Sequence, residues 1–142
     1  MLEELVTFET AKLATKKGFG NFCEEMFDKS GKPYSQRFLY KSAIPTGYNR
    51  PTQSLLQKWL REVHNIYVSS LPYQDYSDNW KPIDLMYYYS VIDLNKFIKQ
   101  DINNGTIGEL GSDINFKTYE EALEIGLQQA LQLIPKTNEK LT

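Results

Sequence analysis

Between Pro51 and Ile66 the chain reads PTQSLLQKWLREVHNI, a stretch that is hard to fold as anything but a capped amphipathic helix running into a strand. Proline cannot sit inside a helix but fits just before one. The hydroxyl of Thr52 can accept a hydrogen bond from a backbone N–H one turn further on, which makes it a good N-cap. Leu55, Leu56, Trp59, Leu60 and Val63 then fall at helical spacing on one face, with Gln57, Lys58, Arg61 and Glu62 on the other. Asn65 tolerates the left-handed conformation that ends helices. Ile66, Tyr67 and Val68 favour a strand. Lys58 and Arg61 on the open face could meet an anion, and the plainer reading is a solvated face over a buried Leu/Trp stripe.

The same reasoning places the other elements. Residues Thr7–Lys17 predict a first helix that buries Phe8, Ala11, Leu13 and Ala14. Lys16 and Lys17 suit the negative end of its dipole, and Gly18 stops it, with Phe19 folding back. Asn21–Asp28 and Pro33–Tyr40 predict a β-hairpin around Lys29-Ser30-Gly31-Lys32, with Phe22 and Met26 on one face of the first arm and Cys23, Glu25 and Phe27 on the other. Lys41–Arg50 reads as loop.

After the Pro51 helix, Ile66–Leu71 predicts a strand and the polar, turn-rich Pro72–Pro82 a loop. Ile83–Ile92 is the clearest strand. Ile83, Leu85, Tyr87, Tyr89 and Val91 line one face, and Asp84, Met86, Tyr88 and Ser90 the other. Asp93 can cap a short helix carrying Leu94, Phe97, Ile98 and Ile102, followed by loop over Gly105–Asp113. Thr118 and Glu121 then form a capping box for a final helix that buries Tyr119, Ala122, Leu123, Leu127, Ala130, Leu131 and Ile134 and ends at Pro135. The tail from residue 136 to residue 142 should fray.

The order α-β-β-α-β-β-(α)-α implies an α+β fold. We expect a single two-layer domain spanning residues 1–142, with an antiparallel sheet of about four strands packed by two to four helices. Its 142 residues, 41% hydrophobic and 24% charged, suffice for one core without metal or disulfide support. The net charge of −2 gives no electrostatic footprint for nucleic acid. Residues 1–50 hold eight Lys/Arg against six Asp/Glu, and residues 101–142 three against seven, so a mildly basic face would need the fold to segregate these halves. The N-terminus lacks a signal-peptide pattern, no apolar run approaches the roughly 20 residues of a membrane span, and the single cysteine suits a reducing compartment. A cytoplasmic protein is expected.

Little in the sequence supports chemistry. One histidine (His64) and one cysteine (Cys23) cannot build a zinc site alone, and no cofactor is expected. As a general base His64, at a helix end, would need a second group that the sequence does not point to, and Cys23 reads as a small core residue. Neither Lys17-Gly18-Phe19-Gly20 nor Gly105-Thr106-Ile107-Gly108 has the context of a phosphate loop. The Glu24-Glu25 and Glu120-Glu121 pairs point apart or cap a helix. Tyrosine is the unusual feature, with ten copies beside seven Phe and two Trp. Tyr73, Tyr76 and Trp80 fall in the long loop, and Tyr88 faces away from Tyr87 and Tyr89. Exposed aromatics of this kind suit stacking on a base or anchoring a protein, and the plainer alternative is that they fill the rim of a half-covered sheet.

Three motifs, TFETAKLATKKGF, PTQSLLQKWLREVHNI and TYEEALEIGLQQALQLI, with a D-x-x-G-x-P-Y hairpin after the first, resemble a group of small uncharacterised proteins encoded by phages, prophages and mobile elements of Bacteroidota. The motifs cover about a third of the chain and their order nearly all of it. The resemblance implies a mobile-element origin and a small intracellular domain, and it implies no activity. The expectation is therefore a non-enzymatic binding protein that holds a small ligand or a host protein, for example in counter-defence, through Tyr73, Tyr76, Trp80 and Tyr88. Lys58 and Arg61 would join them if the ligand is anionic. The alternative is a nucleic-acid accessory protein. Self-association through the sheet face is left open.

Overall fold

The computed structural model describes residues 3–36, 47–76, 79, 81–95, 108–111 and 116–135. These form three helices and six strands: α1 (Phe8–Lys16), β1 (Glu25–Asp28), β2 (Pro33–Ser35), β3 (Gly47–Asn49), α2 (Gln53–His64), β4 (Ile66–Tyr76), β5 (Pro82–Asp93), β6 (Gly108–Gly111) and α3 (Tyr119–Gln132). The fold is α+β and its strands are antiparallel, as expected. They divide, however, into two three-stranded sheets, ordered β2-β1-β3 and β4-β5-β6, where one sheet of about four strands was expected.

The helix boundaries follow their caps. Thr7, Thr52 and Thr118 accept at Oγ1 from the backbone N–H groups of Thr10, Leu55 and Glu121, satisfying donors that a helix start leaves orphaned. Gly18 ends α1 at φ +101°, a conformation costly for a side chain, and the Phe19 N–H returns to the Ala14 carbonyl at 2.9 Å. Asn65 ends α2 in the left-handed region at φ 56°. In α2, Leu56, Trp59 and Leu60 are buried as their spacing requires, but Val63 is 59% exposed. It stands at the last turn, beyond the surface the helix covers.

The first hairpin is shorter than expected. Strand pairing starts at Glu25, so Asn21–Glu24 is not strand, and Phe22 is 74% exposed. Asp28 organises the turn by accepting from Ser30 N–H, Ser30 Oγ and Lys32 N–H at 2.9, 2.6 and 2.9 Å. Gly31 adopts φ +95° there. Gly47–Asn49, expected as loop, pairs with β1 on its other side. Backbone approaches backbone so closely at Gly47 that a Cβ would run into the Phe27 carbonyl oxygen. The expected second arm beyond Gln36 and the loop before Gly47 lie outside the described residues.

The larger sheet positions the surface of interest. Strand β4 does not stop at Leu71 but pairs with β5 through Tyr76, so Tyr73 and Tyr76 stand on a strand rather than in a loop. Strand β6, also expected as loop, pairs with the end of β5, and a bridge between Tyr87 and Phe116 extends that edge. Asp93 accepts from Asn95 N–H at 3.0 Å and opens a helical turn at Leu94. The rest of that expected helix, the loops around β6 and the tail lie outside the described residues.

One core joins both sheets. Leu56 and Leu60 of α2, Leu127 and Leu131 of α3 and Val91 of β5 are fully buried, each worth about 1.5–3 kcal/mol over exposure. Phe8 meets Phe27 and Tyr48 edge-on at 5.4 and 5.8 Å, fastening α1 to the small sheet. Helix α3 lies across β4 and β5, and Gly126 sets its height. A Cβ at that position would stand 2.9 Å from Tyr89 Cβ and 3.1 Å from Val68 Cγ1. Tyr119, expected in the buried stripe, is 41% exposed at the first turn of α3, where its ring meets Tyr87 edge-on at 6.4 Å.

Candidate functional site

Strand alternation separates two faces of the β4–β5 pair. Ile66, Val68 and Ser70, opposite Asp93, Val91 and Tyr89, turn toward α2 and α3. Tyr67, Leu71 and Tyr73, opposite Ile92, Tyr88 and Met86, turn the other way. On this outer face Tyr67, Leu71 and Tyr73 are 41, 37 and 45% exposed, and Met86, Tyr88 and Ile92 are half-buried beside them. The result is an uncharged stripe of tyrosine, leucine and methionine along β4, interrupted by exposed Ser69 opposite Ser90. It carries no charge from Tyr67 to Tyr73 or from Met86 to Ile92.

The residues singled out from sequence divide between surfaces. Tyr73 and Tyr88 come together as diagonal neighbours on the outer face, with Leu71 and Met86 between them in register. Tyr76 is exposed at the far end of β4, past an irregularity in pairing, and alternation puts it on the face opposite Tyr73. Trp80 lies outside the described residues. Lys58 and Arg61 are exposed on α2, whose other side packs into the core on the helical layer. They and the outer tyrosines therefore belong to different sides of the larger sheet.

The free edge of β4 is closed to strand pairing at two places. Tyr87 exchanges both backbone hydrogen bonds with Phe116, at 2.8 and 3.2 Å, so its groups point away from β4. Pro72, opposite Tyr87, thus turns its nitrogen to the free edge, where it has no N–H to offer. Four residues earlier the Val68 carbonyl, on the same edge, accepts from Gln57 Nε2 at 2.7 Å.

A second feature was not anticipated. Glu124, in the middle of α3, is 8% exposed, and its carboxylate gathers three parts of the chain. Oε2 accepts from Thr7 N–H at 3.1 Å, from Thr7 Oγ1 at 2.9 Å and from Thr10 Oγ1. Oε1 accepts from Gln53 Nε2 at 3.0 Å, and the same amide donates to the Glu120 carbonyl at 2.9 Å. Gln128 Nε2 completes the set by donating to Thr10 Oγ1 at 2.9 Å. Glu124 lines a cleft of about 570 Å³ together with Leu5, Phe116, Glu120 and Glu121. The sequence held a signal for it. Glu124 stands three and seven residues before Leu127 and Leu131, inside the buried stripe.

The other reactive groups are placed as core or cap. Cys23 is buried, its thiol meets the Asn21 carbonyl at 3.5 Å, and burial pushes its pKa up to about 11. That holds it as an unreactive thiol. The His64 ring stacks edge-on against Trp59 at 4.6 Å. Among the described residues no three His, Cys, Asp or Glu side chains are grouped to hold a metal ion, and no helix is long and apolar enough to cross a membrane. No family model, curated protein or solved structure matches this chain.

Proposed function

We propose that this chain is a non-enzymatic binding protein that engages another protein through the outer face of β4 and β5. The carrying observation is the uncharged stripe of Tyr67, Leu71 and Tyr73, with Tyr88 and Met86 beside it, standing clear of the helical layer. Large amphipathic side chains on a rigid strand lose little entropy on binding, which is why tyrosines anchor interfaces. In keeping with the resemblance of its motifs, the protein acts in the cytoplasm of a bacterial host as a phage or prophage product and holds a host protein. A nucleic-acid role would pair stacking aromatics with nearby cations, and Lys58 and Arg61 stand on the other side of the sheet, which favours a protein partner. Affinity capture from host lysate with wild type, Leu71→Glu and Lys58→Glu as baits tests this. A protein retained by wild type and Lys58→Glu but lost from Leu71→Glu is expected. Identical retention by all three overturns the proposal.

A further inference from the structure

Resting on that reading, we propose that the outer face of β4 and β5 receives a single amphipathic helix of the partner, about 13 residues long, through its uncharged side. Three observations select this occupant. The first is the closed edge. Pro72 offers no N–H there and Gln57 occupies the Val68 carbonyl, so a partner added as a further strand would find the backbone ladder interrupted. Recognition falls to side chains on the face.

The second is size. From Tyr67 to Tyr73 the stripe runs six strand steps, about 20 Å, which matches a helix of about 13 residues. The two strands span about 10 Å across, close to one helix diameter. Exposures of 41, 37 and 45% for Tyr67, Leu71 and Tyr73, with half-buried Met86 and Tyr88, leave on the order of 300 Å² of open side chain. A stable dimer buries roughly 800 Å² from each copy, more than this stripe alone supplies, so a second copy would need surface beyond it. On the inner face of the same sheet α3 packs against both β4 and β5.

The third is charge. The chain is 24% charged, yet the stripe has no charged side chain, so the helix face it accepts is apolar with charges only at its margins.

The test uses a displayed library of 14-residue helical peptides, sorted for binding to the full-length protein and counter-sorted against Leu71→Glu. Enriched clones should carry apolar residues at i, i+3 or i+4, and i+7. Their binding should weaken at least ~10-fold on Leu71→Glu and on Tyr73→Ser, the second substitution guarding against misfolding of the first. Three outcomes overturn the inference: no clone preferring wild type, enriched clones that are extended or charged across the stripe, or a wild-type dimer in sedimentation that Leu71→Glu dissociates. The last would leave the face as a binding surface and change only its occupant. Host capture indifferent to Leu71→Glu would instead remove the binding proposal itself.

Discussion

Replacing Glu124 with glutamine keeps the shape of the side chain and changes one acceptor oxygen into a donor. In the native protein Oε2 receives three donors, from Thr7 N–H, Thr7 Oγ1 and Thr10 Oγ1, and Oε1 receives Gln53 Nε2. An amide can satisfy only one side. With its oxygen toward the threonines, its NH₂ faces the NH₂ of Gln53, and Gln53 cannot turn without abandoning the Glu120 carbonyl. Hydrogen bonds to a charged group contribute about 1.5–3 kcal/mol each, and relief of the buried charge returns part of what is lost. The expected net cost of Glu124→Gln is about 2–4 kcal/mol. With a urea dependence of about 2 kcal/mol per molar, the unfolding midpoint by circular dichroism should fall by about 1–2 M. Thr10→Val removes one donor to the same oxygen, so the double variant should cost less than the sum of the singles. A Glu124→Gln midpoint within about 0.2 M of wild type would refute the reasoning, since the carboxylate would then not be fastening α1, α2 and α3 together.

Other substitutions follow from single contacts. Gly126→Ala gains about 1 kcal/mol of helix propensity but sets a methyl group 2.9 Å from Tyr89 Cβ, and overpacking of about 1–3 kcal/mol should leave it less stable in thermal melts. Ser70 Oγ is buried without a hydrogen-bond partner, so Ser70→Ala should raise stability by about 1 kcal/mol in urea titrations. The Asp28 carboxyl is held below its ordinary pKa chiefly by the Ser30 hydroxyl and the Lys32 N–H, and a lowered folded pKa contributes stability that is full above the unfolded value and lost as the pH falls through the folded one. The stability difference between wild type and Asp28→Ala should therefore be full at pH 6 and shrink as the pH falls below about 4.

The helices were legible because each carries its punctuation in neighbouring residues: Thr52 and Asn65 for α2, Gly18 for α1, Thr118 and Glu121 for α3; the Thr7 cap of α1 went unread. The strands that escaped notice have no such local signal. Gly47–Asn49 is three residues long and exists because β1 offers it an edge, a long-range fact that a glycine two residues after a proline conceals in the sequence. The reach of β4 to Tyr76 was hidden by Pro72, which reads as a turn residue unless the strand is known to be an edge. That one misreading moved Tyr73 and Tyr76 into a loop. Once the register is known, Tyr73 and Tyr88 meet, Tyr76 parts from them, and Lys58 and Arg61 fall on another surface. Glu124 escaped because a glutamate in a buried stripe reads as a helix-former until its donors, more than 70 residues away in sequence, are brought to it.

The most direct test of the binding surface is site-specific photo-crosslinking in host cells, with a benzophenone amino acid at Leu71 or Tyr73 on the outer face and at Lys58 on the helical layer. A covalent adduct to one host protein is expected from Leu71 and Tyr73 and none from Lys58. An adduct formed only from Lys58, or from no position, would contradict it.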